Sequence, residues 1–299
     1  MFSRLSRGFN NSNIVGRFIY ANVAVYVIVV FIGVFSVLFN FPSLVENCVG
    51  TLELSSSFHI MLCRPWSLFT YMFLHEQLMH LLWNMLALYM FGKVFMSFYS
   101  VRHFVGTYLL GGLFGGLFFL LSFNTLPYFA PYIGGVSLVG ASASVLAIIV
   151  ASAVRSPGYR VHLFLFGSVK LSTLAIVSVG ISVLMLSGEN AGGNFAHIGG
   201  AFAGWLMASL LNKGVDITSF VNRPIDYMVS LFGKKIKKRK KGKFHYSSST
   251  AKHSSDYEYN ASKKVREAEV DCILEKIKKG GYSSLSDEEK KRLFEASSK

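Results

Sequence analysis

Val139-Gly140-Ala141-Ser142-Ala143-Ser144 stands at the head of an uncharged run, Val145 to Val154, closed by Arg155. The fifteen residues from Gly140 to Val154 make about 22 Å of helix, against a hydrocarbon core of about 30 Å. With its far end near Arg155, such a helix begins below the opposite surface. A serine placed there needs water and a base rather than lipid. Far downstream, Phe195-Ala196-His197-Ile198-Gly199-Gly200 puts a histidine at the head of the last apolar run. The two stretches predict a bundle of apolar helices with Ser142 and His197 meeting inside it.

Composition supports a membrane setting. The chain has 299 residues, 52% hydrophobic and 15% aromatic, too apolar for an ordinary soluble domain. Its net charge of +14 is uneven. Residues 1–17 contribute +3, 18–212 contribute +2, and 213–299 contribute +9. The basicity therefore belongs mostly to the tail. The three cysteines, Cys48, Cys63 and Cys272, are too few for a typical zinc knuckle. Cys48 and Cys63 share one loop, where a disulfide and two free thiols are both open. The first apolar run is too long for the core of a signal peptide and reads as a retained helix.

Six apolar runs approach the length of a spanning helix: Phe18–Phe41, Glu76–Phe98, Phe104–Phe123, Gly140–Val154, Leu171–Ser187 and Phe195–Leu211. With the N-terminus inside, the inner segments carry Arg4, Arg7, Arg17, Lys93, Arg102, Arg155, Arg160, Lys170 and the tail, whereas the outer ones carry only Arg64. The positive-inside rule then puts both termini in the cytoplasm. In the first outer loop, Arg64-Pro65-Trp66 suits an interfacial anchor. The alternative is a rigid loop that shapes access to a site.

His75, His80 and Asn84 come next. A zinc-protease helix needs two histidines four residues apart. Here the gap is five, about 140° round the helix, so no metal is called for. His80 and Asn84 are four apart and share a face. Polar groups in a membrane helix are costly and mark a functional interior, or an interhelical hydrogen bond that only holds the bundle. Gly111/Gly115 and Gly112/Gly116 are small-xxx-small pairs that let helices approach closely. The uncharged loop 124–139 can dip inward to Gly140 where protein satisfies its backbone. Ser144 competes with Ser142 but lies about 200° away on the same helix. His197 shares a stripe with Gly200, Ala201, Gly204 and Ala208, all small, so the imidazole can be held against a neighbouring helix.

Together, Arg64-Pro65-Trp66, the His75…His80…Asn84 ladder, Gly140-Ala141-Ser142 and Ala196-His197-Ile198-Gly199-Gly200 resemble the rhomboid family of intramembrane serine proteases, over about 60–212. The resemblance implies an all-α membrane protein, a six-helix bundle of 18–212 in a bacterial inner membrane. It implies Ser142 as nucleophile and His197 as general base and then acid. His80, Asn84 and the Ser142 backbone N–H would form the oxyanion hole, with no cofactor. Substrates would be transmembrane segments of other proteins. Two departures stand out. Ala143 follows the serine where the family usually has glycine, and Leu146 stands where it often has an aromatic stacked on the histidine.

The tail divides into a juxtamembrane segment and linker, 213–260, and a small helical hairpin, 261–299. Lys234 to Lys243 is a basic run suited to anionic lipid. Nucleic acid is disfavoured because no sequence-reading element accompanies it. Ser286-Asp287-Glu288-Glu289 reads as a capping box. The partner of the hairpin is not legible. A non-catalytic rhomboid-like binder of membrane clients is the rival to the enzyme. A transporter is disfavoured because no internal repeat appears.

Overall fold

The computed structural model describes residues 13–41, 43–163, 167–232, 273, 276, 277 and 285–290. The chain divides into two units, Met1–Lys234 and Lys235–Lys299. Arg4, Arg7, the basic run at 234–243, the linker and most of the first hairpin arm lie outside the described residues.

In the first unit the Asn13 side chain accepts a hydrogen bond from the Gly16 N–H at 2.9 Å, an N-cap that opens helix α1, Ile14–Leu38. There follow α2 (Ser43–Cys48), strand β1 (Leu54–Ser55), α3 (Phe58–Cys63), α4 (Ser67–Thr70) and a 3₁₀ turn at Tyr71–Phe73. Two long helices come next, α5 (Leu78–Phe98) and α6 (Val101–Thr125). A 3₁₀ segment at Pro127–Tyr132 and strand β2 (Ser137–Leu138) lead into α7, Ser142–Arg155. Strands β3 (Arg160–Leu163) and β4 (Gly167–Lys170) precede α8 (Leu171–Leu184), α9 (Ala191–Asn212) and α10 (Ser219–Phe232).

All six apolar runs are helical, with shifted ends. The unit is mostly helical rather than all-α. β1 pairs antiparallel with β2, and β3 with β4. The β3–β4 ribbon is absent from the reading of apolar runs, although Tyr159-Arg160-Val161-His162-Leu163 alternates apolar and polar, the pattern of a half-buried strand. By length and composition, α1, α5 and α6 suffice to cross a membrane; α7 and α8 are shorter apolar helices.

α7 is the hub. Every residue from Ala143 to Ala153 is buried, as expected of a helix apolar on all sides. Its small side chains let neighbours close in. A Cβ built on Gly111 of α6 would stand 2.5 Å from the Ala147 Cβ, and one on Gly115 would stand 2.6 Å from the Ala143 Cβ. α9 packs on both α6 and α7. α1 is peripheral, tied in by Asn22, whose amide donates to the Tyr108 hydroxyl at 3.3 Å, and by Phe18 against Phe104 and Tyr108. Its other face, with Ile28 and Phe31, is exposed.

Segment 43–75 is more ordered than a loop carrying an anchor. The Arg64 guanidinium donates to the Gly50 carbonyl at 3.1 Å, the Trp66 indole to Thr51 at 2.9 Å, and the Thr70 hydroxyl to Leu52 at 2.6 Å. Three side chains thus staple three consecutive carbonyls, and β1 is held where β2 can pair with it. Trp66 remains half exposed, so an interfacial contact is compatible with this stapling. Below it, the buried Tyr71 hydroxyl donates to Gly112 at 2.6 Å. The Tyr71 carbonyl accepts from the Gly140 N–H at 3.0 Å, which fixes the approach to α7.

α10 is amphipathic and docks beside the start of α6. The Asn222 amide donates to the Arg102 carbonyl at 2.9 Å, and Arg102 pairs with Asp226 at 3.0 Å. In the second unit, the capping box forms reciprocally. The Ser286 N–H donates to Glu289 Oε2 at 2.8 Å and the Glu289 N–H to Ser286 Oγ at 3.3 Å. Lys276 reaches Glu289 at 2.8 Å. The bond from Lys276 and that from the Ser286 N–H hold the Glu289 carboxyl below its usual range.

Candidate active site

Gly140 and the first turn of α7 set up the site. Gly140 has φ +120°, a conformation L side chains rarely adopt, and a Cβ there would meet His80 Cε1 at 2.8 Å. Glycine is therefore required twice: for the backbone turn and to seat the imidazole of His80 against it. Ser142 is then the first residue of α7. First-turn N–H groups have no intrahelical acceptor, so the Ser142 N–H is free to serve a ligand.

α9 brings the partner. Ser142 Oγ and His197 Nε2 stand 2.8 Å apart, although 55 positions separate them in sequence. The approach depends on the glycines of the stripe. A Cβ on Gly200 would fall on the Ala143 carbonyl oxygen and one on Gly204 on that of Ala147, both far inside van der Waals contact. Ala201 and Ala208 are buried on the same helix. His197 sits in the second turn of α9 rather than at its head. The helix begins early because the Asn190 side chain accepts from the Gly193 N–H at 3.2 Å, and Gly192 tucks against Phe119.

α5 supplies the other two expected residues. The Asn84 side chain, buried, donates to the His80 carbonyl at 3.0 Å. His80 is half-buried and meets the His75 ring edge-on at 5.3 Å. Ser142, His197, His80 and Asn84 line one cavity of about 620 Å³, with Gln77 and Ser137. A second recess of about 380 Å³ shares Ser137, Asn190 and Gly193 with it and is walled by Phe129, Tyr128 and Tyr132. Near the rim, Glu53 is half-buried. Burial, opposed by a hydrogen bond with Ser137 and reinforced by Glu76, holds its carboxyl above the ordinary range.

Ser144 points elsewhere: its hydroxyl is buried, and it does not line the cavity. One contact escaped the sequence reading. Ser182 Oγ of α8 lies 3.2 Å from His197 Nδ1. The signal was the Ser178/Ser182 pair, four residues apart in the middle of the uncharged run Leu171–Ser187. Cys48 and Cys63 are both free and exposed.

A serine hydroxyl hydrogen-bonded to an imidazole, beside a buried amide and a free helix N–H, is a nucleophile–base arrangement with donors for an anion. Around it are helices whose exposed apolar faces suit lipid. The fold and site thus define a helical integral membrane protein with a serine–histidine centre. A model of the rhomboid domain matches residues 62–214, just over half of the chain; the chain belongs to the rhomboid family. A second model, for a family of unknown function, matches residues 253–299. No curated protein matches the chain.

Proposed function

We propose that this chain is an intramembrane serine endopeptidase that cleaves transmembrane segments of other membrane proteins. The observation that carries the reading is the 2.8 Å contact between Ser142 Oγ and His197 Nε2. In this reading His197 takes the Ser142 proton as Oγ attacks the scissile carbonyl. The resulting oxyanion is met by the Ser142 N–H, the Asn84 amide and an N–H of His80. Collapse of the tetrahedral intermediate expels the amine, which takes the proton back from His197. Water then hydrolyses the acyl-serine by the same route. A substrate helix must unwind first, because its peptide groups are engaged in its own hydrogen bonds.

The proposal includes six membrane-crossing helices, α1 and α5 to α9, with both termini in the cytoplasm of a bacterial inner membrane. The lysine and arginine asymmetry of the loops supports that orientation. The basic segment after α10 is proposed to contact anionic lipid, and no nucleic acid. Units 18–212, 213–260 and 261–299 are proposed as protease domain, juxtamembrane linker and appendage.

Fluorophosphonate labelling of purified protein in detergent tests the assignment. Wild type is expected to label covalently, and Ser142→Ala and His197→Ala to remain unlabelled. Persistent labelling of Ser142→Ala rejects the nucleophile, and an unlabelled, peptidase-dead wild type favours the non-catalytic binder. Asn84→Ala is expected to reduce kcat by about 10²–10³ with KM little changed. One amide hydrogen is engaged by His80 and the other is left for charge that exists only during reaction. Equal losses in kcat and binding would assign Asn84 to substrate docking instead.

A further inference from the structure

Ser182 stands between two partners on the side of His197 remote from the nucleophile. Its Oγ is 3.2 Å from His197 Nδ1 and 3.1 Å from the Ser178 carbonyl oxygen. The residue is 3% exposed, so these contacts are not readily exchanged with bulk water. A serine hydroxyl has one proton to give and two lone pairs to receive with. Two arrangements satisfy the distances. In one, Ser182 donates back to Ser178, its oxygen accepts Nδ1–H, and Nε2 accepts the Ser142 proton. In the other, Ser182 donates to a bare Nδ1, and Nε2–H donates to Ser142. The first forms three hydrogen bonds along the chain from Ser178 to Ser142. The second forms two and forfeits the bond to the Ser178 carbonyl. In a buried setting the fuller network is favoured.

We infer that Ser182 is a positioning residue that fixes the Nδ1–H tautomer of His197, leaving Nε2 bare toward Ser142. The inference rests on the Ser142–His197 reading above and supplies what a dyad without a carboxylate otherwise lacks, a group orienting the base. It also accommodates the imidazolium. Once Nε2 is protonated both ring nitrogens are donors, and the Ser182 oxygen goes on accepting from Nδ1 with no rotation of its hydroxyl. A neutral oxygen stabilises that cation less than a carboxylate does. Loss of Ser182 should therefore cost less than the roughly 10⁴-fold seen when a triad's aspartate is replaced and the tautomer is wrong.

The test compares wild type, Ser182→Ala and Ser182→Thr as full-length protein in detergent. For Ser182→Ala we expect kcat and the rate of fluorophosphonate inactivation to fall about 10- to 30-fold, well short of the roughly 10⁴-fold aspartate case, with KM within about twofold. Ser182→Thr keeps an oxygen in place, since threonine also back-bonds to the carbonyl four residues earlier, and should stay within about threefold of wild type. Selective ¹⁵N labelling of histidine supplies a second readout. The His197 signals, identified by their loss in His197→Gln, should show a protonated Nδ1 and a bare Nε2 in wild type and a tautomer mixture in Ser182→Ala. Wild-type kcat in Ser182→Ala, or a bare Nδ1 in the wild-type spectrum, overturns the inference. Equal impairment of the Ala and Thr variants also overturns it, because it shows that packing alone is at stake. A wild type that resists fluorophosphonate yet shows the Nδ1–H tautomer sinks the protease reading and leaves the role of Ser182 intact.

Discussion

Ser142→Ala and His197→Ala are each expected to lower kcat/KM on a transmembrane peptide substrate by about 10⁴-fold or more, and the double variant by no more than the worse single. The reason lies in the 2.8 Å contact. A serine hydroxyl is a weak nucleophile until a base takes its proton, so removing the base disables the hydroxyl and removing the hydroxyl idles the base. Groups that act as a unit lose their effect once. The residual rate would come from the oxyanion donors, which neither substitution touches. Stability separates this outcome from collapse of the fold. Ser142 is half-buried at the first position of α7, and deletion of its oxygen should shift unfolding by only about 1 kcal/mol. A double variant whose loss equals the product of the singles would mean that the two side chains act in separate steps.

The helices were legible because the bilayer demands long apolar runs, and all six runs are helical. Ser142 and His197 were legible for a related reason: polar groups in such runs are costly, so each stands out. Helix ends were less so. The sequence Asn190-Ala191-Gly192-Gly193 reads as a breaker, yet Asn190 caps α9 through Gly193 and Phe119 covers Gly192. Those partners come from the helix itself and from a residue 73 positions away, and only the second is invisible to local reading. The order of the 43–75 segment was legible only in part, for the same cause. Arg64 and Trp66 read as an anchor or as part of a rigid loop, and the role they share with Thr70 appears only when the acceptors at Gly50, Thr51 and Leu52 are seen. Pairing of β1 with β2 joins Leu54 to Leu138, a register no short-range pattern encodes. Ser182 was passed over because a serine in an apolar helix usually back-bonds to its own turn; it does so here and also serves His197.

The packing of α9 on α7 leads to the second large effect. Gly200→Ala is expected to lower stability by about 1–3 kcal/mol and kcat by about 10²-fold, with Gly200→Val worse on both counts. The added Cβ falls on the Ala143 carbonyl. That atom belongs to the backbone of α7, buried from Ala143 to Ala153, so no side chain can swing aside and the two helices must part. Parting them moves His197 away from Ser142, because the stripe that carries Gly200 also carries the imidazole. A misplacement of about 1 Å is enough for a hundredfold loss of rate and breaks a hydrogen bond already near its optimal length. Gly204→Ala, which meets Ala147 one turn further on, should destabilise similarly but cost less activity, being further from the dyad. Gly180→Ala is the control: a Cβ there meets nothing within 4 Å, so activity should hold and stability should change by no more than about 1 kcal/mol. Thermal unfolding in detergent together with kcat on one substrate decides the matter. If Gly200→Ala melts and turns over like wild type, the close approach of α9 to α7 is not what holds the dyad together.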